Sequence, residues 1–321
     1  MAINLHHLRI FTAIVDHGGF TRAAKALRLS QPAISKSLNE LEKQLHVALL
    51  DRTGKSVVLT DAGRMLYSRA GELFGIERAA ERELRELRGL KRGLLRVAAS
   101  TTIATYILPA YLGRFRTRHP GIRIHSTNAN TRAVLRLLLE FRVDVALVEG
   151  PVNHPRVDVV PWREDELVVI AHPNHPLLAQ ARVAPSELAE LPFLVRERGS
   201  GTREVSERAL ALHGVQLSNT IRVGGTEAIK QAVAAGLGFG IVSRAAARDQ
   251  LALDRIAILD VEGLVIRRAL TQLKLRDRAV SGAARELEQL LAEPSGDEAF
   301  HDASGFSGTT RASELVSFTR P

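Results

Sequence analysis

Cysteine is absent from this 321-residue chain, which excludes disulfides, thiolate metal sites and any thiol-based redox switch. No apolar run approaches the roughly 20 residues needed to span a bilayer, and the amino terminus shows no signal-peptide apolar core. A soluble, cytoplasmic protein with no membrane partner is therefore expected. Enzyme signatures are missing as well: there is no nucleophile-elbow Gly-x-Ser-x-Gly, no Walker loop and no paired-carboxylate motif. His172 and His175 flank a Pro-Asn turn, and His6 and His7 open a helix, without a third ligand at metal spacing. Gly236-Leu-Gly-Phe-Gly240 leaves a helix and enters a strand, the reverse of dinucleotide-binding order, and reads as a turn. The expectation is a non-enzyme with no catalytic residue, no metal site and no cofactor.

What is present points to nucleic acid. The formal charge is +9 and 45% of residues are apolar, enough for two or three domains with real cores. Ile34, Leu38, Leu41 and Leu45 recur at helical spacing and must be buried. At 100° per residue the opposite face carries Pro32, Ser35, Lys36, Asn39 and Lys43, suited to phosphates and base edges. Ser30 is a good N-cap, Gln31 follows it, and Pro32 falls in the first turn, where no helical N–H is needed. The segment from Phe20 to Leu27, with Thr21, Arg22 and the small pair Ala23 and Ala24, predicts a helix that crosses close by. Together they predict a helix-turn-helix. Leu5, Leu8, Phe11 and Val15 mark a preceding helix, and Asp51-Arg-Thr-Gly-Lys-Ser-Val-Val-Leu59 reads as a β-wing carrying Arg52 and Lys55. Residues 1–65 hold nine Lys or Arg against five Asp or Glu, which suits phosphate binding.

The motifs Leu8-Arg-Ile-Phe11, Gly19-Phe-Thr-Arg-Ala-Ala24, Leu29-Ser-Gln-Pro-Ala-Ile-Ser35, Leu41-Glu42, Asp51-Arg52 and Leu59-Thr-Asp-Ala-Gly63 resemble those of the LysR-type transcriptional regulators. One departure is Leu50, where the family more often has an aromatic residue, and it is expected to affect packing alone. The resemblance covers the N-terminal module in order, and the chain to about residue 292 is compatible with the family's effector domain. It implies a pseudo-palindromic double-stranded operator, a homodimer formed through a linker helix, assembly into a tetramer, and RNA polymerase as a further partner.

The spacing after the wing predicts that linker, capped by Thr60 and running to about residue 88. Leu66, Leu73, Ala80 and Leu87 form one heptad column; Ala70, Glu77 and Leu84 form the next, in which Glu77 weakens a strict coiled coil. A hinge over residues 89–94 leads to alternating strands (95–99, 122–126, 143–149, 167–171, 193–196, 220–223, 239–243, 268–275) and helices (103–118, 132–141, 201–213, 227–235, 282–291). The predicted fold is an all-α winged helix-turn-helix (1–59), a linker helix (60–88) and a two-lobed α/β effector domain (89–292) of periplasmic-binding-protein type. Its lobe I spans about 93–161 and 268–292, its lobe II about 162–267. A tail over 293–321, rich in Gly, Ser and Thr, is expected to be disordered.

Ligands bind such clefts at strand carboxyl ends and helix amino ends. Four turns there are rich in hydroxyls and N–H groups: Ser100-Thr101-Thr102; Asn128 and Asn130; Gly199-Ser200-Gly201-Thr202 with Arg203; and Gly224-Gly-Thr226. Such turns can hold an anion, although each alone could be a helix cap. Glu149 lies near the cleft, where it would repel a second negative charge or orient a cation or a hydroxyl. Tyr106-Ile-Leu-Pro109, Asp144-Val-Ala-Leu-Val-Glu-Gly-Pro151, Arg196-Glu-Arg-Gly-Ser-Gly-Thr-Arg-Glu204 and Glu227-Ala-Ile-Lys230 further resemble a LysR subgroup tied to sulfur metabolism and sulfite response. The Gly-Ser-Gly-Thr-Arg turn also resembles regulators of carbon fixation that respond to phosphorylated metabolites. The expected effector is a small oxyanion, sulfite or sulfate ahead of a sugar phosphate. The alternative is a ligand-independent architectural DNA-binding protein. Substituting Ser35 or Gln31 should relax base discrimination, whereas Arg52→Ala or Lys55→Ala should weaken binding to all sequences and flatten its salt dependence, as measured by titrations at several salt concentrations.

Overall fold

The computed structural model describes residues 2–51, 57–86, 93–276, 278 and 280–293. Three helices, α1 (Leu5–Asp16), α2 (Phe20–Leu27) and α3 (Gln31–Leu45), precede a hairpin of β1 (Leu50–Asp51) and β2 (Val58–Leu59). Phe11, Ile34, Leu38 and Leu41 form their common core. Ser30 caps α3 by accepting from the Ala33 N–H at 3.3 Å. The Glu42 carboxylate accepts from the N–H groups of Leu49 and Leu50 and so fixes where the chain enters the wing. Leu50 is buried, consistent with a packing position. Arg52 and Lys55 lie outside the described residues.

Helix α4 (Asp61–Glu86) has three different faces. Ala70 and Phe74 are buried against the first three helices, and Glu77 on the same side pairs with Arg9 at 2.6 Å. Glu77 thus leaves the expected coiled-coil column and belongs to an intrachain contact. A second face carries Glu72, which pairs with Arg156 at 2.8 Å, and Gly75, whose added Cβ would lie 2.0 Å from the Phe141 Cβ. The third presents Met65, Leu73, Ile76 and Leu84, all exposed. Leu87 and most of the expected hinge fall outside the described residues, as does the tail from residue 294.

The remainder is built on one nine-stranded sheet. Its strands are β3 (Gly93–Ser100), β4 (Ile122–Ala129), β5 (Val145–Val148), β6 (Val157–Ala171), β7 (Phe193–Val195), β8 (Thr220–Arg222), β9 (Phe239–Ser243), β10 (Ala257–Ile258) and β11 (Ile266–Leu275). They run in the order β4-β3-β5-β11-β6-β9-β7-β8, with β10 also on β6. In the first lobe the parallel strands β3, β4 and β5 are covered by α5 (Leu108–Arg118) and α10 (Gly282–Ala292) on one face and α6 (Thr131–Leu139) on the other. In the second lobe α7 (Gly201–Leu212) covers one face of the sheet, and α8 (Thr226–Ala234) and α9 (Arg244–Ala252) the other. The long antiparallel pair β6 and β11 joins the lobes.

Several elements differ from the sequence reading, among them the short strand β10 and the following three. Strand β6 begins ten residues before the expected 167, because its first part carries exposed Asp158 and Glu164 and its register shifts around Trp162. The helix expected over 103–118 opens with a wide π-type turn, Ile103–Ile107, and becomes α-helical from Leu108, with Pro109 in its first turn. Helix α9 was not anticipated. Ala246 and Ala247 are its buried residues, so its apolar stripe consists of small side chains.

At the wing, a Cβ on Gly63 would lie 2.0 Å from the Leu49 carbonyl oxygen. Gly63→Ala should therefore force the hairpin away from α4 and destabilise the N-terminal domain by about 1–3 kcal/mol, the usual range for overpacking, readable in denaturant unfolding.

Candidate effector cleft

The C-terminal ends of β3 and β5 and the N-terminal ends of α6, α7 and α8 meet between the lobes. The backbones touch there: a Cβ on Gly150 would lie 2.4 Å from the Gly201 Cα, and one on Gly201 would lie 2.7 Å from the Thr131 hydroxyl. The Arg132 N–H also donates to the Gly199 carbonyl at 3.3 Å. Gly199 has φ +88°, a conformation that favours glycine.

Two buried arginines organise the cleft. Arg268 on β11 donates from Nε to Asp165 at 2.8 Å and from Nη1 to the Thr202 hydroxyl at 2.9 Å. Its Nη2 reaches Asp165 at 2.6 Å and the Thr102 hydroxyl at 3.3 Å. Thr202 in turn donates to Glu149 Oε1 at 3.2 Å, and Ser243 to Asp165 Oδ1 at 2.7 Å. Arg196, which follows β7, donates from Nη1 to Thr226 at 2.9 Å and from Nη2 to Thr101 at 3.1 Å. One guanidinium thus holds a hydroxyl from each lobe. It also forms a bidentate pair with Glu197 at 2.9 and 3.0 Å. Burial alone would push the Glu197 carboxyl up, but hydrogen bonds from Arg196 and Asn130 and the Arg196 charge hold it below the ordinary carboxylate range.

A second bridge lies beside the first. Buried Lys230 on α8 donates to the Ala246 carbonyl at 2.6 Å and to Gln250 at 2.9 Å, and pairs with Glu227 at 2.9 Å. Tyr106 of the first lobe donates to Glu227 at 3.0 Å. Burial and the Glu227 carboxylate raise the Tyr106 hydroxyl above its ordinary value. Glu227 itself is held low by Lys230, Tyr106 and Gln250, which together outweigh its desolvation.

The four expected turns therefore converge, with different shares in the network. Thr101, Thr102, Glu149, Thr202 and Thr226 are hydrogen-bonded within it, and Asn130 both caps α6 and reaches Glu197. Buried Ser100 and Thr131 have hydroxyls with no hydrogen-bond partner. Ser200 caps α7, and Gly199 and Gly201 serve close backbone approach. Arg203 turns away, bonding Glu207 and the Arg196 carbonyl, and Asn128 is exposed on β4. Sequence reasoning missed Arg196, Glu197, Lys230, Asp165 and Arg268 as site residues. Lys230 left a trace, because Thr226, Ile229, Lys230 and Val233 share one buried helical stripe.

In the N-terminal domain Thr21, Arg22, Ser30, Gln31, Pro32, Lys36 and Asn39 are exposed, and Ser35 is half-buried. Gln31 donates to the Ser35 hydroxyl at 3.1 Å, and Arg22 to the Gly18 carbonyl at 2.5 Å. A hollow of about 650 Å³ lies elsewhere, between α4 and the first lobe, and shares no residue with the cleft. A smaller hollow of about 20 Å³ lies within the second lobe, behind Arg196 and Thr202. The convergence of buried charge, rather than hollow size, marks the cleft as the candidate site.

Glu197 and Glu227 have depressed values in the folded chain, so their stabilising contribution is present above the ordinary carboxylate range and lost as pH falls through the depressed values. The melting temperature should drop on acidification, and Glu197→Gln should flatten part of that drop while lowering stability at neutral pH.

Residues 5–64 match the bacterial regulatory helix-turn-helix proteins of the lysR family, and residues 88–294 match the LysR substrate binding domain. The Escherichia coli (strain K12) HTH-type transcriptional regulator YeiE is 40% identical over 285 residues, covering 89% of this chain and 96% of that protein. A RuBisCO operon transcriptional regulator of Allochromatium vinosum is 36% identical over 291 residues, 91% of this chain and 96% of that protein. The regulatory domain of Synechocystis PCC6803 CcmR, solved in complex with 2-PG, is similar with a TM-score of 0.58 and 28% identity, covering 63% of this chain and 96% of that one. The chain belongs to the LysR family: it is a DNA-binding transcriptional regulator with a substrate-binding domain, and not an enzyme.

Proposed function

We propose that this regulator responds to a small oxyanion held between its lobes, with sulfite or sulfate ahead of a phosphorylated metabolite. The observation that carries the reading is Arg196, buried and bonded through its two terminal nitrogens to a threonine from each lobe. Thr226 opens α8, and Thr101 and Thr102 precede a helical turn, so N–H dipoles and a planar cation face the same space. An oxyanion on Arg196 would compete with the Glu197 carboxylate for the same guanidinium. The similarity to the CcmR domain solved with 2-PG favours the phosphorylated metabolite as the second reading.

In this reading residues 1–59 bind DNA, 60–88 dimerise and 89–292 hold the effector. Thr21, Arg22, Ser30, Gln31, Pro32, Ser35, Lys36 and Asn39 face the operator, with Arg52 and Lys55 on the wing. The exposed stripe Met65, Leu73, Ile76 and Leu84 supports a partner α4 helix, hence a dimer and, by the habit of the family, a tetramer. Ligand binding shifts the regulator only by the difference between its affinities for two arrangements of the lobes.

The test is a thermal-shift panel with sulfite, sulfate, phosphate, phosphorylated sugars and amino acids. An effector at 100 times its dissociation constant should stabilise the protein by about 2.7 kcal/mol. Arg196→Ala should abolish the response. A shift with neutral amino acids and none with oxyanions would overturn the reading.

A further inference from the structure

Cationic side chains gather in the hollow of about 650 Å³ between α4 and the first lobe. Its volume falls within the roughly 300–1,000 Å³ usual for small-ligand sites. One wall comes from the DNA-binding half, through α1 and α4; the other comes from β3, β4 and the end of α6. Arg78, Arg96, Arg123 and Arg142 line it against two carboxylates, Asp16 and Glu140. Both carboxylates are engaged already: Asp16 accepts from the Tyr67 hydroxyl, and Glu140 lies 3.6 Å from Arg142 and 4.0 Å from Arg136. Arg123 and His125, by contrast, form no ion pair among the described residues. Strand alternation puts both on one face of β4, the edge strand, and the register sets Arg96 of β3 directly beside His125. Arg96 and Arg123 are therefore diagonal neighbours on that face, and like charges on neighbouring positions repel unless an anion lies between them.

We propose that this hollow is a second ligand site, distinct from the cleft, that takes a small organic polyanion carrying two or more phosphate groups. A guanidinium matches a phosphate in shape as well as charge and donates to it in pairs. The four arginines stand on three separate parts of the fold: α4, the paired strands β3 and β4, and the segment after α6. Charged groups set apart on one molecule serve that arrangement better than a single ion does. Arg78 and Arg96 are half-buried and Arg123 and Arg142 exposed, which sets cations both inside the hollow and at its rim. Leu94, Leu137 and the ring of Tyr67 add apolar surface for a carbon skeleton. Because the walls belong to different halves of the chain, such a ligand binds while α4 rests against the first lobe and stabilises that arrangement over any other. Occupancy therefore braces the DNA-binding helices against the effector domain without entering the cleft.

The experiment is calorimetric titration of the full chain with myo-inositol hexakisphosphate, which carries its phosphates around a carbon ring, and with inorganic phosphate for comparison. It uses the unmodified protein, Arg123→Glu on β4 and Arg78→Ala on α4, each checked for folding by thermal unfolding. The hexakisphosphate should bind the unmodified protein at least roughly tenfold more tightly than phosphate, and each variant should lose about tenfold or more of that affinity, the scale of one charge-assisted contact. Backbone hydrogen exchange should slow in α4 and in β4 together when the hexakisphosphate binds. Absence of binding to the unmodified protein overturns the proposal, as does an affinity that survives in a folded Arg123→Glu variant. Affinity lost instead in Arg196→Ala or Lys36→Ala, but kept in Arg123→Glu, would put the polyanion in the cleft or on the DNA-facing helix and overturn it equally. Slowed exchange on one wall alone would overturn the bracing.

Discussion

A guanidinium buried beside two carboxylates is tolerated only if every one of its N–H groups finds an acceptor in good geometry, and Arg268 is held to that condition. Its acceptors come from β6, from the start of α7, from the end of β5 and from the turn after β3. Those segments cannot shift relative to one another without stranding a charge. The lobes are consequently tied at a polar point and not merely by apolar contact, and the hydroxyls around that point are fixed before any ligand arrives. Arg196 repeats the arrangement nearer the surface, but its carboxylate partner Glu197 is about one-third exposed, so that pair is the more readily rearranged of the two.

The N-terminal domain is anchored by different means. Glu42 secures the wing entry, the Thr60 hydroxyl both caps α4 and donates to the Ala48 carbonyl, and Tyr67 reaches Asp16 on α1. Helix α4 therefore moves with the DNA-binding helices on one side and touches the first lobe through Glu72 and Gly75 on another. A change in the lobes has a short physical route to the DNA-binding surface through this one element.

Much of this was legible in the sequence, and for identifiable reasons. The stripe Ile34, Leu38 and Leu41, the caps Ser30 and Asn130 and the turn hydroxyls Thr101, Thr102, Thr202 and Thr226 follow local rules of periodicity and capping, which act over a few residues. Arg196 and Arg268 were not legible as site residues, because a charged residue in a strand pattern normally reads as a solvated face. Arg268 bonds segments more than 100 residues away and Arg196 a threonine 95 residues away, so their setting is fixed by the tertiary fold. Strand β6 was half-missed for a related reason. Leu270 pairs with Arg163 and Thr271 with Pro161, so Trp162 is an extra residue that flips the inward and outward phase within one strand. Glu77, which the heptad pattern counts against a strict coiled coil, pairs with Arg9, because α4 packs on the first three helices as well as on the first lobe.

The contact between Gly150 and Gly201 has a mechanical meaning. With no Cβ on either residue the lobes meet main chain to main chain, so the contact is a hard stop, and closure cannot proceed beyond it whatever lies inside. A ligand between the lobes could not be gripped by drawing them tighter. Recognition in such a clamp is by the pattern of donors and acceptors at a fixed gap, which makes it a gauge of chemistry rather than of size.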